Sequence, residues 1–372
     1  MIYFDNAATS FVKPQNLKKE VLKAMELYTA NPGRSGHKLS QNVALKIFDV
    51  RENVKDFFGA NDYNLIFTKN CTESLNLAIF GILKTGDHVI TTCYEHNSVL
   101  RPLFELKNKG VKVSILECSM EDLPNKIEKE IKENTKLVIT NFVSNVTGEV
   151  CDVETIGKIC KRNNILYLVD GAQASGHIDI NLKKLNIDMF AFAGHKGLLS
   201  LTGVGGLFVK NGVNLKPLIY GGTGTESENL NQPVDFPEGF ESGTMPTISI
   251  ISLGAGVEFL KQNFQKIIEK EQKLSKYLFN SLKKMKFLEI YSKSDSLNVF
   301  SFNIKNLDSN YVANILNEKF GICVRSGLHC APLIHKKLKT LNTGAVRASI
   351  DFNNSYEEID YLIFALKEIA SL

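Results

Sequence analysis

The sequence lacks most of what would take it out of the ordinary globular class. Its 372 residues carry 44 Lys or Arg against 40 Asp or Glu, a net charge of only +4 with no basic tail or stripe, so nucleic acid is not an expected partner. No run approaches the roughly 18 uninterrupted apolar residues of a membrane span. The opening Met1-Ile2-Tyr3-Phe4-Asp5-Asn6 has neither a basic nor an apolar targeting stretch, and a cytoplasmic chain with no membrane partner is expected. The 7 cysteines are odd in number and form no C-x-x-C pair, which fits a reducing compartment better than a disulfide framework, and no metal is expected. The phosphate-binding loop pattern G-x-x-x-x-G-K-[ST] is missing, as is any internal repeat or low-complexity tract.

What is present is a chain with 44% hydrophobic and 23% charged residues, long enough for two domains. Between about residues 64 and 210, short apolar runs alternate with helical patterns. The runs are 64–68, 88–92, 111–116, 137–142, 165–169, 189–193 and 205–209; helices are expected from Thr72, from Ser98, over 125–133 and from Glu154. Such alternation means α/β with a mostly parallel sheet covered on both faces, and places the ligand site at the carboxyl ends of the strands. Residues 220–246 are rich in Gly, Pro, Asn and Glu without periodicity, an irregular excursion too long for a plain linker. A long helical pattern follows from Ile248 to about Lys284, expected to break once near 261–263 and to connect two domains. The remainder reads as a small α+β unit with strands near 287–290, 297–304, 323–326 and 345–349 and helices over 309–320 and 356–372. The resulting division is a large domain over 14–262 and a small one over 263–372, with residues 1–13 packing on the latter.

Two strand ends carry the chemistry. The apolar run before Gly194-His195-Lys196 ends in a lysine placed where desolvation lowers an amine's pKa and frees it for Schiff-base chemistry, although a loop lysine would read the same way. The run Ile165–Val169 ends in Asp170-Gly171-Ala172-Gln173, an acid on the strand's carboxyl rim. About 26 positions separate Asp170 from Lys196, and the two follow successive strands; a pyridoxal phosphate site needs one carboxylate for the pyridine nitrogen and one lysine for the aldehyde.

Further stretches extend the pattern: Tyr3-Phe4-Asp5-Asn6-Ala7-Ala8, Asn70-Cys71-Thr72-Glu73-Ser74, Glu95-His96-Asn97, Ser144-Asn145-Val146-Thr147-Gly148, Glu241-Ser242-Gly243-Thr244 and Arg325-Ser326-Gly327-Leu328-His329-Cys330-Ala331-Pro332. With these, almost the whole chain resembles a class V aminotransferase-fold enzyme of the cysteine desulfurase and selenocysteine lyase family, group II type. The resemblance implies the type I fold of pyridoxal-phosphate enzymes, a homodimer, and pyridoxal 5′-phosphate as cofactor. It places the cofactor among Cys71, Thr72, His96, Asn145, Asp170, Gln173, His195 and Lys196, with Thr244 reaching the neighbouring subunit's phosphate. It puts substrate contacts at His37, Asn145, Arg325 and Arg347, and makes Lys196, Cys330 and His96 catalytic. The implied reaction takes L-cysteine to L-alanine and leaves the sulfur on Cys330 as a persulfide, with a sulfur-acceptor protein as a possible partner and iron–sulfur cluster assembly as the setting. A thiol with a pKa of about 8.5 is only slightly ionised at neutral pH, so Cys330 gains from Arg325, from His329, or from a proton passed to His96. Ala193 departs from the family, which often has a phosphate-contacting serine there. Selenocysteine lyase, an aminotransferase or C–S β-lyase on the same scaffold, and a silent scaffold remain open as alternatives.

Overall fold

The computed structural model describes residues 1–32 and 35–371. Strand β1 (Ile2–Tyr3) lies apart, whereas β2 (Tyr63–Thr68), β3 (His88–Thr92), β4 (Lys112–Leu116), β5 (Thr135–Asn141), β6 (Leu166–Asp170), β7 (Met189–Ala193) and β8 (Gly205–Lys210) form one seven-stranded sheet. Its spatial order is β2-β8-β7-β6-β5-β3-β4, and only β8 runs against its neighbours. The carboxyl ends of β2, β3, β5, β6 and β7 therefore share one edge.

The central strands are buried on both faces because residues pointing to each face are apolar, not only those at every second position, as in β7. Along β7, Phe190 and Phe192 enter one core while Met189, Ala191 and Ala193 enter the other. The period of two that a pleated strand imposes thus supplies both layers from a single run. Helices Gln15–Leu27 and Lys38–Phe57 precede the alternating region and pack against a long helix, Thr247–Lys283.

That helix is continuous over 37 residues, so the break expected near 261–263 does not occur. The polar residues there sit on its solvent side: Lys261 pairs with Asp56, Gln262 bonds Glu258 one turn back, and Asn263 donates to the Phe259 carbonyl. None of the three contributes a proline or glycine that would interrupt the backbone ladder. At about 1.5 Å per residue the helix is roughly 55 Å long and serves two cores. Leu253, Val257 and Leu260 join the core beneath the main sheet; Leu274, Leu278 and Leu282, each four residues on, join a second core with Phe4, Phe300 and Phe302.

The second core lies on a three-stranded sheet, β9 (Leu288–Ile290), β10 (Val299–Ile304) and β12 (Val346–Ser349), in the order β12-β10-β9. Strand β11 is only Ile322–Cys323 and pairs in parallel with β1, so the strand expected over 323–326 is cut short; Arg325 instead makes an isolated bridge to Arg347. The last helix is Tyr356–Ala370, and Leu372 lies outside the described residues. Among the described residues no helix is long and apolar enough to cross a membrane.

Glu271, almost fully buried on the long helix, joins the parts. Its carboxylate lies 3.0 Å from His177 Nδ1 after β6, accepts from Asn298 Nδ2 at 2.8 Å beside β10, and accepts from the Phe352 amide at 3.2 Å after β12. Burial opposes charge on His177, but Glu271 outweighs it and raises the histidine's pKa. A raised folded-state value means that this stabilisation is complete below the ordinary value of 6.5 and fades as pH rises through the folded one. Glu271→Ala should cost about 3–5 kcal/mol by leaving His177 and Asn298 without their acceptor. The loss, read from denaturant unfolding, should shrink on the alkaline side, and a pH-independent loss would contradict the ion pair.

Candidate active site

Parallel pairing of β6 with β7 sets Asp170 opposite Ala191 and brings Lys196, just beyond β7, to the same edge of the sheet. Between the strand ends lies a cavity open to solvent. It is lined by Asp170, Ala172 and Gln173 from the end of β6, and by Ala193, His195 and Lys196 from β7. Asn141 ends β5 and Asn145 lies beyond it, His96 and Ser98 come from beyond β3, and Asn70, Cys71 and Thr72 from the turn after β2. That last turn opens the helix Cys71–Ile82, whose first amides form an anion-binding end. It lies directly on β8: a side chain on Gly205 would come within 2.7 Å of the Asn70 carbonyl carbon.

The cavity favours uncharged bases. Burial lowers the pKa of Lys196, with Arg347 and Arg325 adding to the effect while Asp170 opposes it. His96 is pushed down to about 4 by burial, again against the pull of Asp170, and is neutral at physiological pH. Its Nδ1 accepts the Ser98 amide at 3.1 Å, which leaves the ring proton on Nε2. Ser98 Oγ is shared at 2.8 Å with both His96 Nδ1 and Thr72 Oγ1. His195 is lowered to about 4 by burial and by Lys196, and its Nδ1 is buried without a partner among the described residues. Asp170 Oδ1 accepts the Ala172 amide at 3.0 Å and the Cys71 thiol at 3.4 Å; burial and this acid push the Cys71 pKa far up.

Glu95, directly before His96, is fully buried. It accepts from Thr92 Oγ1 at 2.6 Å and the Asn141 amide at 3.1 Å, and burial pushes it up to about 8. Its side chain thereby ties the end of β3 to the end of β5.

Arg347 on β12 is buried beside the cavity. Nη1 donates to the Asn145 carbonyl at 3.0 Å and Nη2 to Asp5 Oδ1 at 2.9 Å, whereas Nε is buried with no partner among the described residues. The loop leading to Cys330 is laced to the same strand: Arg325 and Arg347 exchange backbone bonds at 3.1 and 2.7 Å, as do Gly327 and Ala345 at 3.1 Å each way. Two successive non-glycine residues, His329 and Cys330, adopt φ of 50° and 57°, a conformation held by bonds from Asn145 Nδ2 to the His329 carbonyl and from the Asn97 amide to the Cys330 carbonyl, both 2.7 Å. Cys330 is exposed in an open pocket that shares Thr72, His96 and Ser98 with the cavity. Arg325 Nη2 lies 3.6 Å from its sulfur. His329 is not available to assist this thiol as a cation, because burial and the neighbouring Arg347 keep it neutral and its ring packs on His335.

Eight of the residues singled out in the sequence line one cavity: Cys71, Thr72, His96, Asn145, Asp170, Gln173, His195 and Lys196. Cys330 lies in the adjoining pocket, Arg347 bonds Asn145 of the lining, and Arg325 reaches Cys330. His37 and Thr244 do not reach the cavity within one chain; His37 is exposed and caps the helix Lys38–Phe57, and Thr244 is exposed near the end of the excursion. Sequence reasoning passed over Ser98, Asn141 and Asp5, which carry no distinguishing local pattern and become visible only through their contacts.

The arrangement fits pyridoxal phosphate. An idle buried imidazole nitrogen on His195, the Thr72 hydroxyl and a helix amino end suit a phosphate, Asp170 suits a protonated ring nitrogen, and a lysine of lowered pKa suits an aldehyde.

Comparison with known proteins leads the same way. Residues 2–362 match the family model described as Aminotransferase class-V. The chain is 36% identical to a probable cysteine desulfurase of Methanothermobacter thermautotrophicus, covering 100% of this chain and 95% of that protein. It is 39% identical to a probable cysteine desulfurase of Pyrococcus abyssi, covering 99% and 94%. Its structure superposes on the apo structure of a cysteine desulfurase from Thermococcus onnurineus NA1 with a TM-score of 0.91 at 36% identity, over 100% of this chain and 94% of that one. Built on the same sheet, with the same reach from end to end, this chain belongs to the class V aminotransferase family.

Proposed function

We propose that the protein is a pyridoxal 5′-phosphate-dependent cysteine desulfurase, which converts L-cysteine to L-alanine and keeps the sulfur as a persulfide on Cys330. The observation that carries the reading is the meeting of Lys196, Asp170 and His96 in a cavity that opens, past Thr72 and Ser98, onto the exposed Cys330. The relatives named cysteine desulfurase support it.

When bound, the cofactor supplies an aldehyde for the substrate amine and a protonated ring that spreads the electron pair left on Cα. Asp170 holds the ring-nitrogen proton; a hydrogen bond to a charged group contributes about 1.5–3 kcal/mol. Thr72, His195 and the helix amino end hold the phosphate, with Ala193 supplying no hydroxyl. Gln173, fixed by its bond to the Ala7 carbonyl at 3.0 Å, would meet the cofactor's phenolic oxygen. Arg347 and Asn145 hold the substrate carboxylate. Lys196, whose pKa burial lowers, takes the Cα proton at Nζ and returns it; general acid–base catalysis of this kind contributes roughly 10²–10⁴-fold. Cys330 Sγ, oriented by Arg325, forms a bond to the substrate sulfur as the Cβ–S bond breaks and its electron pair stays on the carbon skeleton. The proton of the exposed Cys330 thiol leaves to solvent, since His96 Nδ1 already accepts the Ser98 amide and Nε2 carries the ring proton.

Lys196→Ala should leave the fold intact and reduce turnover by more than about 10⁴-fold, since one amine both holds the aldehyde and moves the proton. Borohydride reduction of the wild type followed by mass spectrometry should find a pyridoxyl group on Lys196; one on any other lysine contradicts the assignment.

Cys330→Ser should still bind cofactor and L-cysteine but lose sulfur release by about 10²-fold or more, because divalent sulfur is transferred to a thiolate and not to a hydroxyl. Selenium, on a weaker bond, should leave the same variant's L-selenocysteine far more readily. Sulfide released from L-cysteine at the wild-type rate, with no alkylation-trapped persulfide on the wild-type Cys330, would replace this reading by a C–S β-lyase.

Thr244 is exposed and lies outside its own cavity, which supports a homodimer in which it meets the partner's phosphate. Thr244→Val should weaken cofactor retention in equilibrium dialysis; a monomer fully loaded and fully active contradicts the composite site.

A further inference from the structure

Residues 5–10 touch three parts of the site at once. Ala7 supplies the carbonyl that fixes Gln173, Ser10 and Thr9 donate to the His195 carbonyl just before Lys196, and Asp5 bonds Arg347. From the last of these contacts we propose that Asp5 is the positioning residue for Arg347, aiming its guanidinium at the substrate carboxylate and so setting the preference for amino acids over simple amines.

The position of Asp5 is set by backbone, not by its own side chain. Ile2, Phe4 and Ser349 form bonds of 2.9, 2.9 and 2.7 Å to Gly321, Cys323 and Phe4, and the Ala7 amide reaches Ser349 Oγ at 2.9 Å. Asp5 bridges Ser349 in parallel, and Arg347, two residues away on the same face of β12, lies within diagonal reach of a long side chain. Five N–H groups project from a guanidinium. The Asn145 carbonyl and Asp5 take one from each Nη, and Nε is buried with no partner among the described residues. Three donors therefore remain for an arriving anion, on a side chain only 1% exposed that two bonds hold still. Burial works against the charge of Arg347 and Asp5 supports it, so the carboxylate offsets the desolvation of the fork while fixing its direction.

The inference rests on the reading of Arg347 as the carboxylate ligand, and the test separates the two. In cofactor-loaded enzyme, Asp5→Asn should raise KM for L-cysteine about tenfold or more with kcat within about twofold. Visible-absorbance titration should show the same weakening for L-alanine and none for ethylamine, which has no carboxylate. Arg347→Ala is the control. If it leaves L-alanine binding unchanged, the reading of Arg347 fails. If it weakens L-alanine while Asp5→Asn does not, or if Asp5→Asn weakens L-alanine and ethylamine equally, the positioning role fails. A fall in KM would show that Asp5 competes with substrate and would also overturn it. Should Asp5→Asn not accumulate as folded protein, Asp5→Glu displaces the charge by one methylene and must likewise reduce discrimination between L-alanine and ethylamine; unchanged discrimination overturns the proposal.

Discussion

The register of β6 against β7 is the constraint on which the rest depends. Because the two strands are parallel, their carboxyl ends emerge together, and an acid at the end of one faces a lysine three residues beyond the other. Parallel strands require crossover helices, which cover both faces, so the site stands at the rim of a layer that is apolar throughout. The remaining groups arrive by the same route from β2, β3 and β5. The reversed β8 does not interrupt the arrangement, since it lies between β2 and β7 and restores the common direction beyond itself.

Burial at that rim sets the charge state of each group. Lys196, His96 and His195 have too few partners to offset lost hydration and are biased toward their neutral forms. Glu95, pushed up to about 8, is also largely protonated at neutral pH. Where charge must persist in the interior, a carboxylate is placed against it, as Asp5 stands against Arg347 and Glu271 against His177. Both pairs join segments distant in sequence, and Glu271 with His177 also ties the long helix to the loop after β6.

Much of the architecture was legible in the pattern. The runs 88–92 and 189–193 coincide with β3 and β7, and the helix Ser309–Phe320 begins and ends where its apolar period and Gly321 indicate. The continuous helix was misread at 261–263 because three polar residues in succession resemble a loop until the neighbours on the solvent side are known. The short strand at Ile322–Cys323 was overdrawn because pairing partners, not local propensity, end a strand at a sheet's margin. In the site, motif residues at strand ends were readable, whereas Ser98 and Asp5 were not, since each acts through a neighbour brought near by folding.

By itself the sequence determined the alternation of strands and helices, the acid and the lysine at the ends of successive strands, and a cysteine in a turn that glycine and proline mark on either side. These follow from local periodicity and turn chemistry, which act over a few residues. Tertiary structure alone decided which groups are neutral, that His329 turns to His335 while Arg325 turns to Cys330, and that Asp5 meets a residue 342 positions away. Desolvation and hydrogen-bond geometry depend on what surrounds a group in space, and that is settled only when distant segments pack.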